Sequence, residues 1–350
     1  MAKAVDARML KGWLGEAGET ALLDIRESGP YSQGHPFLAV PLPYSRLELE
    51  IERLVPRRST RVVVYDQSGE GVAERAAKRA EALGYSDVHV LAGGAEAWAK
   101  AGYTLFDGVN LPSKTFGEIV EIERHTPRIT ATELVDMQRR GDDIRIVDGR
   151  TIAEFQRFNI PGGIPCPNGE LALRIKELVP SPRTRIVVNC AGRTRSIIGA
   201  QTLIDWGVPN EVVALENGTQ GWFLAGLKRE EGAMRPMPAA PTGAGLDRCR
   251  ERANALAGER GIPSVDTRTV ERWLAEAGRT TYVLDVRTAD EFKADGIAGS
   301  VHAEGGQLIQ ATDHWIGVRN ARLVLVDGEG VRAIVVAAWL RQLGHDASVL

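Results

Sequence analysis

One short segment of the sequence combines a nucleophilic side chain with fixed positive charge. It consists of Cys190, Ala191, Gly192, Arg193, Thr194, Arg195 and Ser196. The segment follows the apolar, β-branched stretch 185–189 and precedes a stretch with helical periodicity. Backbone N–H groups at such a strand-to-helix turn can bind an anion, and a thiol placed there is favoured as the thiolate. The segment therefore predicts a reactive thiolate beside a site for a negatively charged substrate.

The three cysteines differ in what surrounds them. An isolated cysteine is more often a small buried side chain than a nucleophile. At Cys190 the strand end, the glycine, two arginines and the helix start coincide, which favours reactivity. Cys166 lies between two prolines and is interpreted as packing, and Cys249 lies in a polar helical stretch and is interpreted as a surface thiol. No CxxC pair exists, so neither a metal site nor another cofactor is expected.

The position of Cys190 requires a buried strand before it and a helix after it. Apolar residues recur at helical spacing from Ser196 to Trp206, and Gly207 suits the helix end. Strand, short loop and helix in this order are typical of a parallel α/β sheet, which binds ligands at the carboxyl ends of its strands. The fold class predicted is therefore α/β.

The same layout occurs three times along the chain. Each copy begins with an apolar strand that ends in Asp-x-Arg, and the three pairs are Asp24 and Arg26, Asp148 and Arg150, and Asp285 and Arg287. A second, β-branched strand follows each pair. The residue just after it, at the same distance from the aspartate in all three copies, is Asp66, Cys190 or Asp327. The copies lie too far apart for solenoid units, so we expect three whole domains.

The repeat also predicts the domain boundaries. The expected domains are residues 1–108, 127–230 and 262–350. The stretch 231–261 is interpreted as a linker with a short helix at 247–256, and 107–126 as an aperiodic connection. The third copy stops at Leu350, before the residue that would match Trp222. We therefore expect the third domain to be incomplete at its C-terminus, with a further domain possible beyond it.

Composition excludes several other classes of protein. Hydrophobic residues make up 43% of the 350 residues and charged residues 25%, as in ordinary globular proteins. No apolar run could cross a membrane, and Asp6 lies where the apolar core of a signal peptide would begin. The net charge of −3 favours neither nucleic acid nor an anionic membrane as a partner. The sequence thus predicts a cytoplasmic location.

Taken together, these features resemble the rhodanese family of sulfurtransferases. The resemblance rests on the Asp-x-Arg pairs, the turns 159–163 and 296–300, the six-residue loop that begins at Cys190, and the closing elements 93–98 and 217–222. It implies three tandem domains, each a mainly parallel sheet flanked by helices. It also implies that Cys190 accepts a sulfane sulfur, becomes a persulfide, and passes the sulfur to a nucleophile such as cyanide or a thiol.

The resemblance gives the other candidate residues their expected roles. Residues 191–196 would bind the donor, with Arg193 and Arg195 on its oxyanion end. Asp148 and Arg150 would either line the pocket or form a buried brace, and the brace is favoured because all three copies keep the pair. The aspartates in place of the thiol predict that the first and third domains are inactive, with Glu70 and Glu329 adding to the repulsion of an anionic donor. The alternative is that Asp66 or Asp327 acts as a general base or metal ligand.

Two questions remain open at this point. Two-domain thiosulfate sulfurtransferases have a basic residue two positions after the cysteine, where this chain has Gly192. Thiosulfate is still the expected donor, because the loop carries more charge than those of mercaptopyruvate-type enzymes. The competing functions are a persulfide relay or scaffold without efficient turnover and a cysteine-dependent phosphatase. A phosphatase would need arginine at the sixth position after the cysteine, which is Ser196 here.

Overall fold

The strands form from short apolar segments, and every pair of neighbouring strands is parallel. The computed structural model describes residues 3–69 and 71–350, so Glu70, which is expected to repel an anionic donor, lies outside the described residues. These residues form three sheets, each covered by helices. No helix in the described ranges is long and apolar enough to cross a membrane. The predicted architecture of three α/β domains is confirmed.

The first domain contains a five-stranded sheet with the strand order β1-β5-β4-β2-β3. Its strands are β1 (Lys3–Val5), β2 (Thr20–Asp24), β3 (Val40–Pro41), β4 (Arg61–Tyr65) and β5 (Val88–Leu91). Its helices are α1 (Ala7–Gly15), α2 (Ser28–Gln33), α3 (Leu47–Leu54), α4 (Val72–Ala82) and α5 (Gly94–Lys100).

The second domain repeats this order as β6-β10-β9-β7-β8. Its strands are β6 (Arg128–Ile129), β7 (Ile144–Asp148), β8 (Ile164–Pro165), β9 (Arg185–Asn189) and β10 (Val212–Leu215). Its helices are α7 (Ala131–Arg140), α8 (Ile152–Arg157), α9 (Leu171–Leu178), α10 (Thr194–Trp206) and α11 (Gly218–Leu224), and α6 (Leu111–Arg124) precedes the domain. Asp148 pairs with Asn189, so β7 and β9 end level with each other. This register brings Asp148 and Cys190 to the same edge of the sheet.

The third domain has a four-stranded sheet in the order β12-β11-β13-β14. Its strands are β11 (Thr281–Asp285), β12 (Val301–His302), β13 (Arg322–Val326) and β14 (Asp346–Val349). Its helices are α13 (Thr267–Leu274), α14 (Ala289–Asp295), α15 (Gly305–Gln310) and α16 (Arg332–Gln342), and α12 (Ala244–Arg260) comes before it. A single bridge between Ser264 and Val349 lies where β1 and β6 lie in the other sheets. Within the described residues β14 is the last element, and this domain shows no counterpart of α5 or α11.

Both stretches that connect the domains contain a helix. The sequence predicted no helix in the first stretch and a shorter one in the second. The stretch 107–126 holds the fourteen-residue α6, which packs against α10. The stretch 231–261 holds the seventeen-residue α12, longer than the expected helix at 247–256, and α12 packs against α9 and α16. The stretch 107–126 is therefore not aperiodic, and the helix expected at 247–256 begins earlier and ends later than expected. The interpretation of 231–261 as a linker between domains stays a prediction. Both helices join neighbouring domains.

The main hydrophobic core runs through all three domains. One face of each sheet contributes to it, with Leu23, Val188 and Leu325 as fully buried members from the three sheets. Each opposite face has a smaller core of its own. The first and third domains also share a buried contact in which the Tyr282 hydroxyl donates to the carbonyl of Leu54. The three domains therefore pack as one body around a shared core.

Candidate active site

Cys190 lies at the carboxyl end of β9, the middle strand of the second sheet. Its residue exposure is 2%, and the Ser196 hydroxyl donates a hydrogen bond to its Sγ at 3.0 Å. The helix α10 begins at Thr194 and ends at Trp206, and the next residue, Gly207, has a φ of 80°, the left-handed conformation that suits a helix end. The predicted order of strand, loop and helix around the thiol is confirmed.

The loop after Cys190 turns its carbonyl groups towards α11. The oxygens of Cys190 and Ala191 accept hydrogen bonds from the N–H groups of Thr219 and Gln220 at 2.8 and 3.0 Å. Because C=O and N–H point in opposite directions across a trans peptide, the N–H groups that follow these carbonyls point away from α11. In the part of the chain that the structure describes, the N–H groups of residues 191–196 donate to no protein acceptor. They form a set of free donors, which we call the amide cradle.

A glycine holds the cradle against the next element. Gly218 has a φ of +51°, and a Cβ on it would lie 2.2 Å from the carbonyl oxygen of Cys190. Gly94 has the same place in the first domain, where a Cβ would lie 2.4 Å from the carbonyl oxygen of Asp66. A side chain at either position would displace the loop backbone, so the closing turn fixes the shape of the cradle.

In the first domain a carboxylate fills the equivalent loop. Asp66 follows β4 as Cys190 follows β9, and its two oxygens accept hydrogen bonds from the N–H groups of Gly69 at 2.6 Å and Ala73 at 3.0 Å. The side chain of Asp66 is therefore an anion built into the loop that would otherwise bind one.

The third domain has the same arrangement. Asp327 accepts hydrogen bonds from the N–H groups of Val331 at 2.8 Å and Arg332 at 2.6 Å, and the Arg332 side chain contacts it at 3.0 Å. Burial alone would raise the pKa of Asp327, but the charge of Arg332 and the loop N–H groups lower it overall. Glu329 also contacts Arg332. A lowered pKa and bound loop amides favour an anchoring anion over a general base.

Arg195 is buried and bound to a carboxylate. Its two terminal nitrogens each lie 2.7 Å from an oxygen of Glu154. Glu154 also caps α8 in a reciprocal arrangement with Thr151. In the third domain Arg332 occupies the position of Arg195 and binds Glu291 at 2.8 and 2.9 Å. Because the arginine–glutamate pair is also present in the third domain, where the loop carries Asp327, we interpret it as a brace of the loop in both domains. Contact of Arg195 with a donor stays a prediction.

Arg193 is also held by acids, which come from outside the loop. Its Nη2 lies 2.8 Å from Glu118 and contacts Glu121, both on α6. Sequence reasoning missed these partners because the helix that carries them was interpreted as an aperiodic connection. Neither guanidinium of the loop is therefore an isolated positive charge.

Asp148 and Arg150 form a buried pair below the loop. Two nitrogens of Arg150 contact the carboxylate at 2.9 and 2.7 Å, and Nη2 also donates to the carbonyl of Phe158. Asn189 donates to the same carboxylate at 3.1 Å, which ties the pair to the end of β9. The corresponding pairs in the other domains have the same geometry. This arrangement favours the interpretation as a brace, with both side chains almost fully buried.

Trp222 and the two other cysteines lie in the core. The Trp222 indole donates to the carbonyl of Lys228, as Trp98 does in the first domain to Thr104. Cys166 is fully buried, and burial raises the pKa of its thiol. Interpreting Cys249 as a surface thiol was wrong, because α12 packs against α9 and leaves Cys249 8% exposed, with a pKa raised by burial.

Two features of the site were not predicted from the sequence. The Asn168 amide donates to the carbonyl of Arg195 at 2.7 Å and holds the loop from the side of β8. Beside it lies a turn of the third domain, because a Cβ on Gly169 would lie 2.9 Å from the N atom of Gly306. The third domain thus contacts the support of the cysteine loop. Among residues 3–69 and 71–350 no group of three or more His, Cys, Asp or Glu side chains could hold a metal ion.

Comparison with known proteins agrees with this architecture. The model of the Rhodanese-like domain matches residues 6–101, 130–225 and 266–350. The structure of a thiosulfate sulfurtransferase from Pseudomonas aeruginosa is 49% identical with a TM-score of 0.97, covering 99% of this chain and 66% of that one. An HTH-type transcriptional regulator of Mycobacterium tuberculosis is 36% identical over 105 residues, which are 30% of this chain and 45% of the relative.

This chain therefore spans less than two thirds of either protein's length. The three family matches together cover most of the chain, and each contains one of the three sheets. The chain belongs to the rhodanese family, with three rhodanese-like domains in tandem.

Proposed function

We propose that this protein is a sulfurtransferase in which Cys190 takes a sulfane sulfur from thiosulfate and passes it to cyanide or a thiol. The observation that carries the proposal is the free amide cradle of the second domain. In the other two domains the same loop is occupied by the carboxylate of Asp66 or Asp327. The loop binds a carboxylate in the first and third domains and is open beside a thiol in the second. The open loop is therefore suited to hold a sulfur that carries negative charge.

The proposed reaction has two steps. The Cys190 thiolate attacks the outer sulfur of thiosulfate, the S–S bond of thiosulfate breaks, and its electron pair leaves with sulfite. The negative charge of the resulting persulfide then lies within the amide cradle, which stabilises it as an oxyanion hole would. A nucleophilic acceptor attacks the outer sulfur, and Cys190 returns to the thiolate. The Ser196 hydroxyl, 3.0 Å from Sγ, donates to the sulfur in both states.

The arginines support this site without being free for the donor. Burial lowers the pKa of the Arg195 guanidinium, but its hydrogen bonds to Glu154 and the charge of Cys190 raise it overall, so Arg195 lies close enough to Cys190 for their charges to interact. Arg193 is half-exposed and could exchange Glu118 for a donor oxygen at little cost, since exposed ion pairs contribute only about 0–1 kcal/mol.

A persulfide relay is the second candidate. Both loop arginines are matched by carboxylates, so little net positive charge is available to attract a thiosulfate dianion. Slow loading from thiosulfate and delivery from another persulfide would suit such a site. A phosphatase is disfavoured because the position of the phosphate-binding arginine is Ser196.

Mass spectrometry of the intact protein after thiosulfate treatment tests the proposal. We expect one added sulfur atom on the wild type, none on Cys190→Ser, and complete removal by cyanide. Cys249→Ser is the matched control and should load normally. An adduct that cyanide does not remove would support the relay, and absence of any adduct would overturn the sulfurtransferase. The three free cysteines suit a reducing compartment, so a cytoplasmic location remains part of the proposal.

A further inference from the structure

The second and third domains meet through two turns that contact each other reciprocally. A Cβ on Gly169 would lie 2.9 Å from the N atom of Gly306, and a Cβ on Gly306 would lie 3.0 Å from the Cβ of Asn168. Both turns follow an edge strand, β8 in one domain and β12 in the other. Because Asn168 also bonds to the carbonyl of Arg195, only one residue separates the third-domain backbone from the cysteine loop.

Glu304 lies at this contact and differs in type from its counterparts. It is the residue before α15, and the corresponding positions in the first and second domains are Pro43 and Pro167. Its side chain is half-buried and makes no hydrogen bond within the described residues. The helix α15 packs against α10, which begins in the cysteine loop. The third domain thus places a carboxylate at the turn that contacts Asn168, near enough to Glu154 and Arg195 for their charges to interact.

We infer that Glu304 accepts the proton of an incoming thiol, so that the persulfide of Cys190 is delivered to a neutral thiol in preference to an anionic acceptor. This inference rests on the proposed function and names its acceptor class. It also assigns a role to the third domain, whose own loop is closed by Asp327.

The proton and electron balance of the step is complete without a further reactant. The Glu304 carboxylate takes the proton of the acceptor S–H, and the thiolate formed attacks the outer sulfur of the persulfide. The S–S bond to Cys190 breaks, and its electron pair stays on Sγ. The acceptor leaves as a persulfide anion, and Glu304 releases its proton to water. An acceptor without an S–H proton gains nothing from this carboxylate and is repelled by it.

The charges around Glu304 suit a group that changes protonation near neutral pH. Burial first, and then the charges of Glu170 and Glu154, raise its pKa to about 7, against the opposing charge of Arg195. A base whose pKa lies near the working pH transfers protons best. The elements packed against α15 also carry Glu118 on α6, Arg332 on α16, and Asp313 and His314 in the turn at 312–314.

The two half-reactions should then depend on pH in opposite ways. Loading from the thiosulfate dianion is favoured when Glu304 is protonated and should slow as pH rises through about 7. Transfer to a thiol needs the carboxylate and should accelerate over the same range. No single change in folding or in loop position produces both trends.

The experiment measures both half-reactions by rapid quench and mass spectrometry between pH 6 and 8. This range extends about one unit on either side of the pKa of Glu304. Loading uses thiosulfate, and discharge uses 2-mercaptoethanol or sulfite. Glu304→Gln should slow discharge to the thiol at the upper pH by about 10- to 100-fold and leave discharge to sulfite equal or faster. It should abolish the pH trend of loading and leave only the rise in thiol discharge that ionisation of 2-mercaptoethanol itself produces. Glu271→Gln, which removes an exposed charge from α13, is the matched control and should change nothing.

The outcomes separate this inference from the proposed function. If the wild type does not load with sulfur, the proposed function fails and the role of Glu304 fails with it. If it loads but Glu304→Gln keeps the pH trend of loading and the wild-type rate of thiol discharge, or slows thiol and sulfite alike, only the role of Glu304 is overturned. Glu304→Asp keeps the carboxylate and should keep the pH trends at a reduced rate, which provides a test if the glutamine variant folds poorly.

Discussion

The guanidinium of Arg332 in the third domain lies 2.9 Å from the carboxylate of Glu170 in the second, and both side chains are almost completely buried. The same guanidinium contacts Asp327 at 3.0 Å and Glu291 at 2.8 Å. One cation therefore joins the closed loop of the third domain to the wall of the second. Arg195 is the counterpart of Arg332 in the second domain, and it shares with Arg332 the ion pair to a glutamate that caps a helix.

Removing the buried cation should strongly destabilise the protein. Arg332→Met leaves Asp327, Glu170 and Glu291 without their shared partner, and breaking a buried pair in this way costs about 3–5 kcal/mol. Urea unfolding measures the change. The control Arg341→Met removes a partly exposed arginine 3.8 Å from Asp346 and should cost at most about 1 kcal/mol. Equal losses in the two variants would contradict the importance of burial.

The same cluster should make the stability depend on acid. Burial alone would raise the pKa of Glu291, but hydrogen bonds from Arg332 and Thr288 lower it from its ordinary value of 4.5 to about 2. A lowered pKa in the folded state means that the carboxylate stabilises the protein above about pH 4.5 and that this contribution is lost as pH falls towards 2. Urea midpoints measured over this range should fall more steeply in the wild type than in Glu291→Gln. Parallel curves would show that Glu291 does not titrate in this way.

The position of Cys190 between a strand and a helix could be predicted from the local sequence. The helices that pack around this site could not. The residue after β9 and the start of α10 could be predicted because strand and helix patterns meet at Cys190. The helix α6 could not, because it packs through Ser113, Gly117 and Val120, and small buried residues leave no apolar period. At Gly117 a Cβ would lie 2.9 Å from the Thr194 side chain, which shows how closely α6 packs against α10.

The ion-pair partners of the charged residues could not be predicted from the sequence either. Arg193 and Arg195 predict positive charge at the loop, but their acids come from α6 and α8, far away along the chain. The contact of Gly306 with Asn168 depends on how two domains pack, for which neither residue gives a local signal. Repetition could be predicted from one chain, whereas the pairing between its copies required the structure.

The closing glycine should be needed for sulfur transfer. Gly218→Ala places a Cβ 2.2 Å from the carbonyl oxygen of Cys190, so the loop backbone must move, and a shift of about 1 Å at a reacting group can cost about 100-fold in rate. Gly207→Ala is the matched control, because its φ of +80° imposes the same strain while its Cβ would face open space. Loading rates of Cys190 with thiosulfate compare the two. Similar rates in both variants would show that the cradle tolerates displacement.

Freeing Arg195 should reveal whether its charge can bind the donor. Glu154→Gln removes the negative partner of this buried guanidinium, so more positive charge acts near Cys190. We expect the KM for thiosulfate to fall several-fold at low ionic strength, with a smaller effect at high salt, because salt screens the attraction. Glu133→Gln removes an equivalent capping glutamate from α7, away from the loop, and controls for the loss of the cap. A rise in KM for Glu154→Gln alone would mean instead that the carboxylate acts by holding Arg195 and the loop in place.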